Sequence, residues 1–195
     1  MTEAVEPIKS FATQRSFETW LRKNHERSEG LWLKIAKQGS SHRSISYAEA
    51  VEVALCFGWI DGQKGRIDDE WWKQKFTARR ARSPWSQINR EKALDLIARG
   101  LMQPAGAREV ERAKADGRWD AAYAGAASAT VPDDLQAALA DDPRASKAFA
   151  VLDSTNRYAI LYRVQDAKRP ETRARRIAQY VAMLSEGRKI HERRA

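Results

Sequence analysis

One carboxylate, Asp61, stands directly behind the apolar run ALCFGWI, in the stretch Phe57 to Gln63 that reads FGWIDGQ. A charge in that position is either the polar end of a structural turn or a group that faces a site. The residues around and after it include Trp59, Lys64, Arg66, Arg79, Arg80, Ser83, Trp85 and Asn89. Arginine carries fork-shaped donors that match carboxylate and phosphate, and a helix opening after Ser83 would aim its first N–H groups at the same anion. On this reading Trp59, Asp61, Arg79, Arg80, Ser83, Trp85 and Asn89 bind a small anionic ligand or acidic group. The arginines hold the anion, Asp61 orients an arginine or accepts a ligand donor, and Trp85 shapes the wall. The simpler alternative is a structural ion pair of Asp61 with Arg79 or Lys75, with core tryptophans and solvated arginines.

Two other classes of function stay open. In an enzyme, Asp61 would be the catalytic general base, which requires partial burial beside space for a substrate. In a nucleic-acid binder, the surface would draw on Lys73, Lys75, Arg79, Arg80 and Arg82, and on Lys168, Arg169, Arg173, Arg175 and Arg176. The net charge of +9 supplies the attraction, but no helix-turn-helix, zinc-finger or single-strand-binding fingerprint accompanies it, so a solvated basic face is the simpler reading. Cys56 falls on the apolar side of a helix and reads as a small buried side chain. His25, His42 and His191 lack the spacing of a metal site, and no phosphate-binding glycine loop or nucleophile elbow is present, so neither a metal nor a cofactor is expected. The tail cations Arg188, Lys189, Arg193 and Arg194 lack an adjoining amphipathic anchor for a membrane surface.

The 195 residues suffice to bury a core. No apolar stretch reaches the ~18–20 residues of a membrane span, the N-terminus MTEAVEPIKSF is unlike a signal peptide, and one cysteine excludes an internal disulfide, so the expected location is the cytoplasm. Exposed tryptophan would also suit a homo-oligomer interface.

All seven tryptophans lie in the first 119 residues, and the small-residue stretch AGAASAT follows them. The expected organisation is a Trp-rich α+β module over 1–123, a linker over 124–131, a helical module over 132–187 and a frayed basic tail over 188–195. In the first module, Phe17 to Glu26 has helical spacing and Leu31 to Lys37 alternates as a strand. Ser46 and Glu49 form a capping box for a helix running to Phe57, with Gly58 as its stop. Strands over Trp59 to Ile67 and Trp71 to Arg79 flank the acidic turn Asp68-Asp69-Glu70. Ser83 and Pro84 read as N-cap and first position of a helix ending near Gly100, and a short helix spans Ala107 to Asp116. In the second module, Pro132, Pro143 and Pro170 mark helix starts. The fold class is therefore α+β, a small antiparallel sheet of about three strands followed by an all-helical C-terminal module.

Pairing Ile67 with Trp71 across the acidic turn would place Asp61 opposite Thr77, Trp59 opposite Arg79 and Gln63 opposite Lys75. Asp61 would then share a face with Trp59, Lys73, Lys75 and Arg79, and the core face would carry Ile60, Phe76, Ala78 and Trp72. A slip of one residue would turn every one of these side chains over.

The blocks ALCFGWIDGQ, FTARRARSPWSQINREKA and AKRPETRARRIAQYVAMLSEGRK resemble the YdeI/OmpD-associated family, also called bacteriocin-protection proteins. The resemblance runs from Trp20 to Gly187 and implies an accessory or stress-protection role, with no catalytic residues to carry over. Ala78 stands where the family would have proline, and its N–H makes strand continuation easier.

Overall fold

The computed structural model describes residues 7–192. They form two compact units, divided between Ala122 and Tyr123.

The first unit is built on a four-stranded sheet in the order β1-β2-β4-β3. Its strands are β1 (Ile8–Ser10), β2 (Leu31–Ala36), β3 (Trp59–Arg66) and β4 (Trp71–Ala78), with helices α1 (Gln14–Asn24) and α2 (Tyr47–Cys56) in the intervals. β1 pairs with β2 in parallel and the other two ladders are antiparallel. The sheet is thus mixed and has one strand more than its sequence suggests, because β1 is only three residues long and too short to display an alternating pattern.

Alternation decides what β2 buries. Leu31, Leu33 and Ile35 face inward and Trp32, Lys34 and Ala36 face outward, as strand geometry requires. The inner residues meet Phe17 and Leu21 of α1, Val53 and Ala54 of α2, and Phe76 in one core. α1 opens with a capping box between Thr13 and Ser16, and α2 opens with one between Ser46 and Glu49. Hydrogen bonds from the Ser46 backbone, then from its hydroxyl, hold the Glu49 carboxyl below its ordinary pKa. Gly58 ends α2 at φ 71°, where a Cβ would also come within 2.9 Å of Glu109 Cγ.

Helix α3 (Gln87–Ala98) starts later than Ser83-Pro84 suggests. Its N-cap is Ser86, whose Oγ accepts from the Asn89 amide, whereas Ser83 Oγ accepts from the Arg80 amide within the preceding turn. Both serines have the right chemistry, and the closing of that turn assigns Ser83 elsewhere. Helix α4 (Pro104–Ala115) packs its Gly106 against the C-terminal end of α2.

The second unit is helical: α5 (Asp133–Ala140), α6 (Pro143–Ala150), α7 (Ser154–Asp166) and α8 (Pro170–Ser185). They enclose Leu135, Phe149, Ile160, Val164, Ile177 and Leu184. Asp142 and Asp153 cap α6 and α7 through their carboxylates, as Asp does at helix starts. The expected fraying of the tail is not observed for Arg188 to His191. Buried Asn156 holds His191 at both backbone groups, accepting from its N–H at 2.8 Å and donating to its carbonyl at 3.1 Å, while Ile190 packs against the core. Arg193 and Arg194 lie outside the described residues. Among those described, no helix is long and apolar enough to cross a membrane.

Candidate functional site

The β3–β4 hairpin keeps its expected register only near the turn. Lys64, Gly65 and Arg66 pair with Gln74, Lys73 and Trp72, but Asp61 pairs with Phe76 and Trp59 with Ala78, one residue away from the simple continuation. A bulge between Asp61 and Lys64 absorbs the difference. It is held from below by the buried side chain of Gln74, whose Nε2 donates to the carbonyls of Gly62 at 2.8 Å and Gln63 at 3.1 Å.

The shift corrects the face assignment. Trp59 and Asp61 lie on the inner side with Phe76, not with Lys75 and Arg79. Trp59 is core, only 1% exposed, and its Nε1 donates to the His25 carbonyl at 3.2 Å. Asp61 is half-buried and its Oδ2 accepts the Tyr47 hydroxyl at 2.7 Å. Arg79 is buried against Trp85, with its guanidinium carbon 3.7 Å from that ring's centre, and Nη1 donates to the Pro84 carbonyl. Trp85 packs edge-on against Trp119. Arg79 and Trp85 are therefore brought together, as are Arg80 and Ser83. Trp59, Arg79 and Trp85 are inside, and Asn89 serves the start of α3 through its backbone.

Cys56 is 8% exposed, and burial, reinforced by Glu18 and Glu52, pushes its thiol up to about 11, so it is protonated at neutral pH. Among the described residues no group of three or more His, Cys, Asp or Glu could hold a metal ion.

The outer side of the sheet carries a different arrangement. Across the β2–β4 ladder Trp32 pairs with Lys75, Lys34 with Lys73, and Ala36 with Trp71. Aromatic rings and ammonium groups consequently meet along the diagonals, as cross-strand neighbours do. Lys73 Nζ lies 4.5 Å from the centre of Trp32, and Lys34 Nζ lies 4.2 Å from the centre of Trp71. Lys75 approaches Trp32 at 6.0 Å. The His42 ring stacks on Trp71 at 4.8 Å and pairs with Glu70 through Nε2. Such contacts contribute about 0.5–1 kcal/mol each at exposed sites. The two tryptophans are half-buried, and Ile8 beside Trp32 is exposed. The sequence marks Lys73 and Lys75 as surface cations but does not join Trp32, Lys34 and Trp71 to them, because the β2–β4 pairing that does so spans distant parts of the chain.

Residues 9–109, the part that holds this sheet, match the family described as a domain of unknown function, DUF8412. The chain belongs to that family. Residues 128–187 match a second family, described as bacteriocin-protection, YdeI or OmpD-associated. The second unit thus carries the domain that its sequence resembles, while FGWIDGQ and FTARRARSPWSQINREKA fall within the first match. No curated protein and no solved structure matches the chain.

Proposed function

We propose that the first unit binds single-stranded nucleic acid on the outer face of its sheet. The observation that carries this reading is the alternation of Trp32 and Trp71 with Lys34, Lys73 and Lys75 on two adjacent strands. Bases stack on aromatic side chains whatever their identity, and ammonium groups track the phosphates between them. Three lysines within one ladder set the spacing for a short strand, and the overall charge of +9 favours its approach. In the unbound protein each ammonium lies over a ring. Binding exchanges that contact for a phosphate on the lysine and a base on the tryptophan.

A protective role, as the description of the second unit's family has it, would on this reading be exercised through the bound strand. The test is fluorescence anisotropy of a labelled oligonucleotide at low salt, with wild type, Trp32→Ala/Trp71→Ala and Lys34→Ala/Lys73→Ala. Binding by wild type that both variants weaken supports the reading. Absence of binding to DNA and RNA strands, or equal binding by all three proteins, refutes it.

A further inference from the structure

On the opposite side of the same hairpin lies a cleft of about 580 Å³ lined by Lys37, Gln38, Lys64, Gly65, Arg66 and Trp72. Its lining holds three cations and no carboxylate. The bulge decides which β3 side chains reach it. Simple alternation from Asp61 would put Gln63 and Gly65 on the inner side of β3, but the extra residue brings Lys64 and Arg66 there instead, opposite Gln74 and Trp72. Bulges re-aim side chains in this way beside functional sites. This one is fixed by a side chain that is itself 4% exposed, Gln74.

We propose that this cleft binds a free mononucleotide, with its phosphate on Lys37, Lys64 and Arg66 and its base against Trp72. Lys64 Nζ sits 4.4 Å from the centre of the Trp72 ring and Tyr47 packs beside that ring at 5.9 Å, so an aromatic wall and an ammonium already share the space. Arg66 is engaged by Asp69, but both side chains are largely exposed, and an exposed pair of this kind yields readily to a phosphate. The site is separate from the outer face, because Trp72 and Trp71 point to opposite sides of β4.

The experiment is titration of the full chain with AMP, adenosine and inorganic phosphate, followed through the assigned indole N–H resonances. The expected result is a saturable shift of Trp72 with AMP, and affinities about tenfold or more weaker for adenosine and for phosphate. Lys64→Ala/Arg66→Ala weakens AMP by about tenfold or more, while Lys34→Ala/Lys73→Ala leaves it unchanged. No movement of Trp72 at millimolar AMP overturns the proposal, as does equal binding of AMP and phosphate. A 5′-phosphorylated oligonucleotide that moves Trp72 where AMP does not would also overturn it, since the ligand would then be a strand end. Loss of oligonucleotide binding alone, with AMP binding intact, would remove the outer-face reading and leave this one standing.

Discussion

Lys73 on β4 holds its ammonium 4.5 Å from the centre of Trp32 on β2, two residues along that strand from its direct partner Lys34. On the proposed outer-face reading, this ammonium would meet a phosphate between two stacked bases. Replacing Lys73 by alanine is expected to lower oligonucleotide affinity and to change the salt dependence in a defined way. With Lys34, Lys73 and Lys75 each taking one phosphate, the slope of log K against log salt is about −2 for a single strand, and it falls by about 0.7 in the variant. Anisotropy titrations over a salt series measure both slopes.

Gln74 bridges the two carbonyls of the bulge. A Gln74→Leu substitution keeps the volume but removes the donor that the Gly62 and Gln63 carbonyls share. Gly62 and Gln63 are themselves exposed, so water can replace the lost donor and the cost is that of ordinary hydrogen bonds, about 0.5–1.5 kcal/mol each. Urea unfolding of the variant is expected to show a loss of about that size. Retention of full stability would mean that the strand holds the bulge without it.

Helix α4 approaches α2 through a glycine. A Cβ at Gly106 would lie 2.4 Å from the Cys56 carbonyl oxygen and 2.6 Å from that of Leu55, both backbone atoms that cannot swing aside. Gly106→Ala is therefore expected to destabilise by about 1–3 kcal/mol or more through overpacking, against the gain that alanine gives in an unhindered helix. Thermal unfolding of this variant beside Gly100→Ala would separate contact from backbone conformation, since Gly100 has open space but a φ of 69°.

Much of this architecture is written locally. The alternation of Leu31 to Ile35, the Ser46–Glu49 capping box and the acidic turn after Arg66 each specify their element from within a few residues. β1 escapes such reading because its three residues acquire meaning only beside β2. The bulge escapes it because the side chain that fixes it, Gln74, lies across the hairpin, and the resulting slip moved Asp61 to the inner side. The outer face was half legible: WWKQK shows aromatic and basic residues together, but nothing local pairs it with LWLK at Leu31.

Acid should weaken the second unit through its capping and pairing carboxylates. The Arg173 guanidinium holds Asp134 below its ordinary pKa, the Asn156 amide does the same for Asp153, and the Ala145 amide for Asp142. A carboxyl depressed in the folded state adds stability that is complete above the unfolded value of about 4 and is lost as the pH falls through the lower folded values. The melting temperature is accordingly expected to drop as the pH falls below about 4, and the part of that drop due to Asp153 to disappear in Asp153→Ala.

The seven tryptophans give each face of the first unit its own reporter. The most direct test of the central claim is a titration of the full chain with an unlabelled single-stranded oligonucleotide, read at the indole N–H resonances. The outer-face account predicts that Trp32 and Trp71 shift and saturate together, while Trp59, Trp85 and Trp119, which are buried, stay in place. Binding that leaves Trp32 and Trp71 unmoved, or a titration that moves no indole at all, would contradict it.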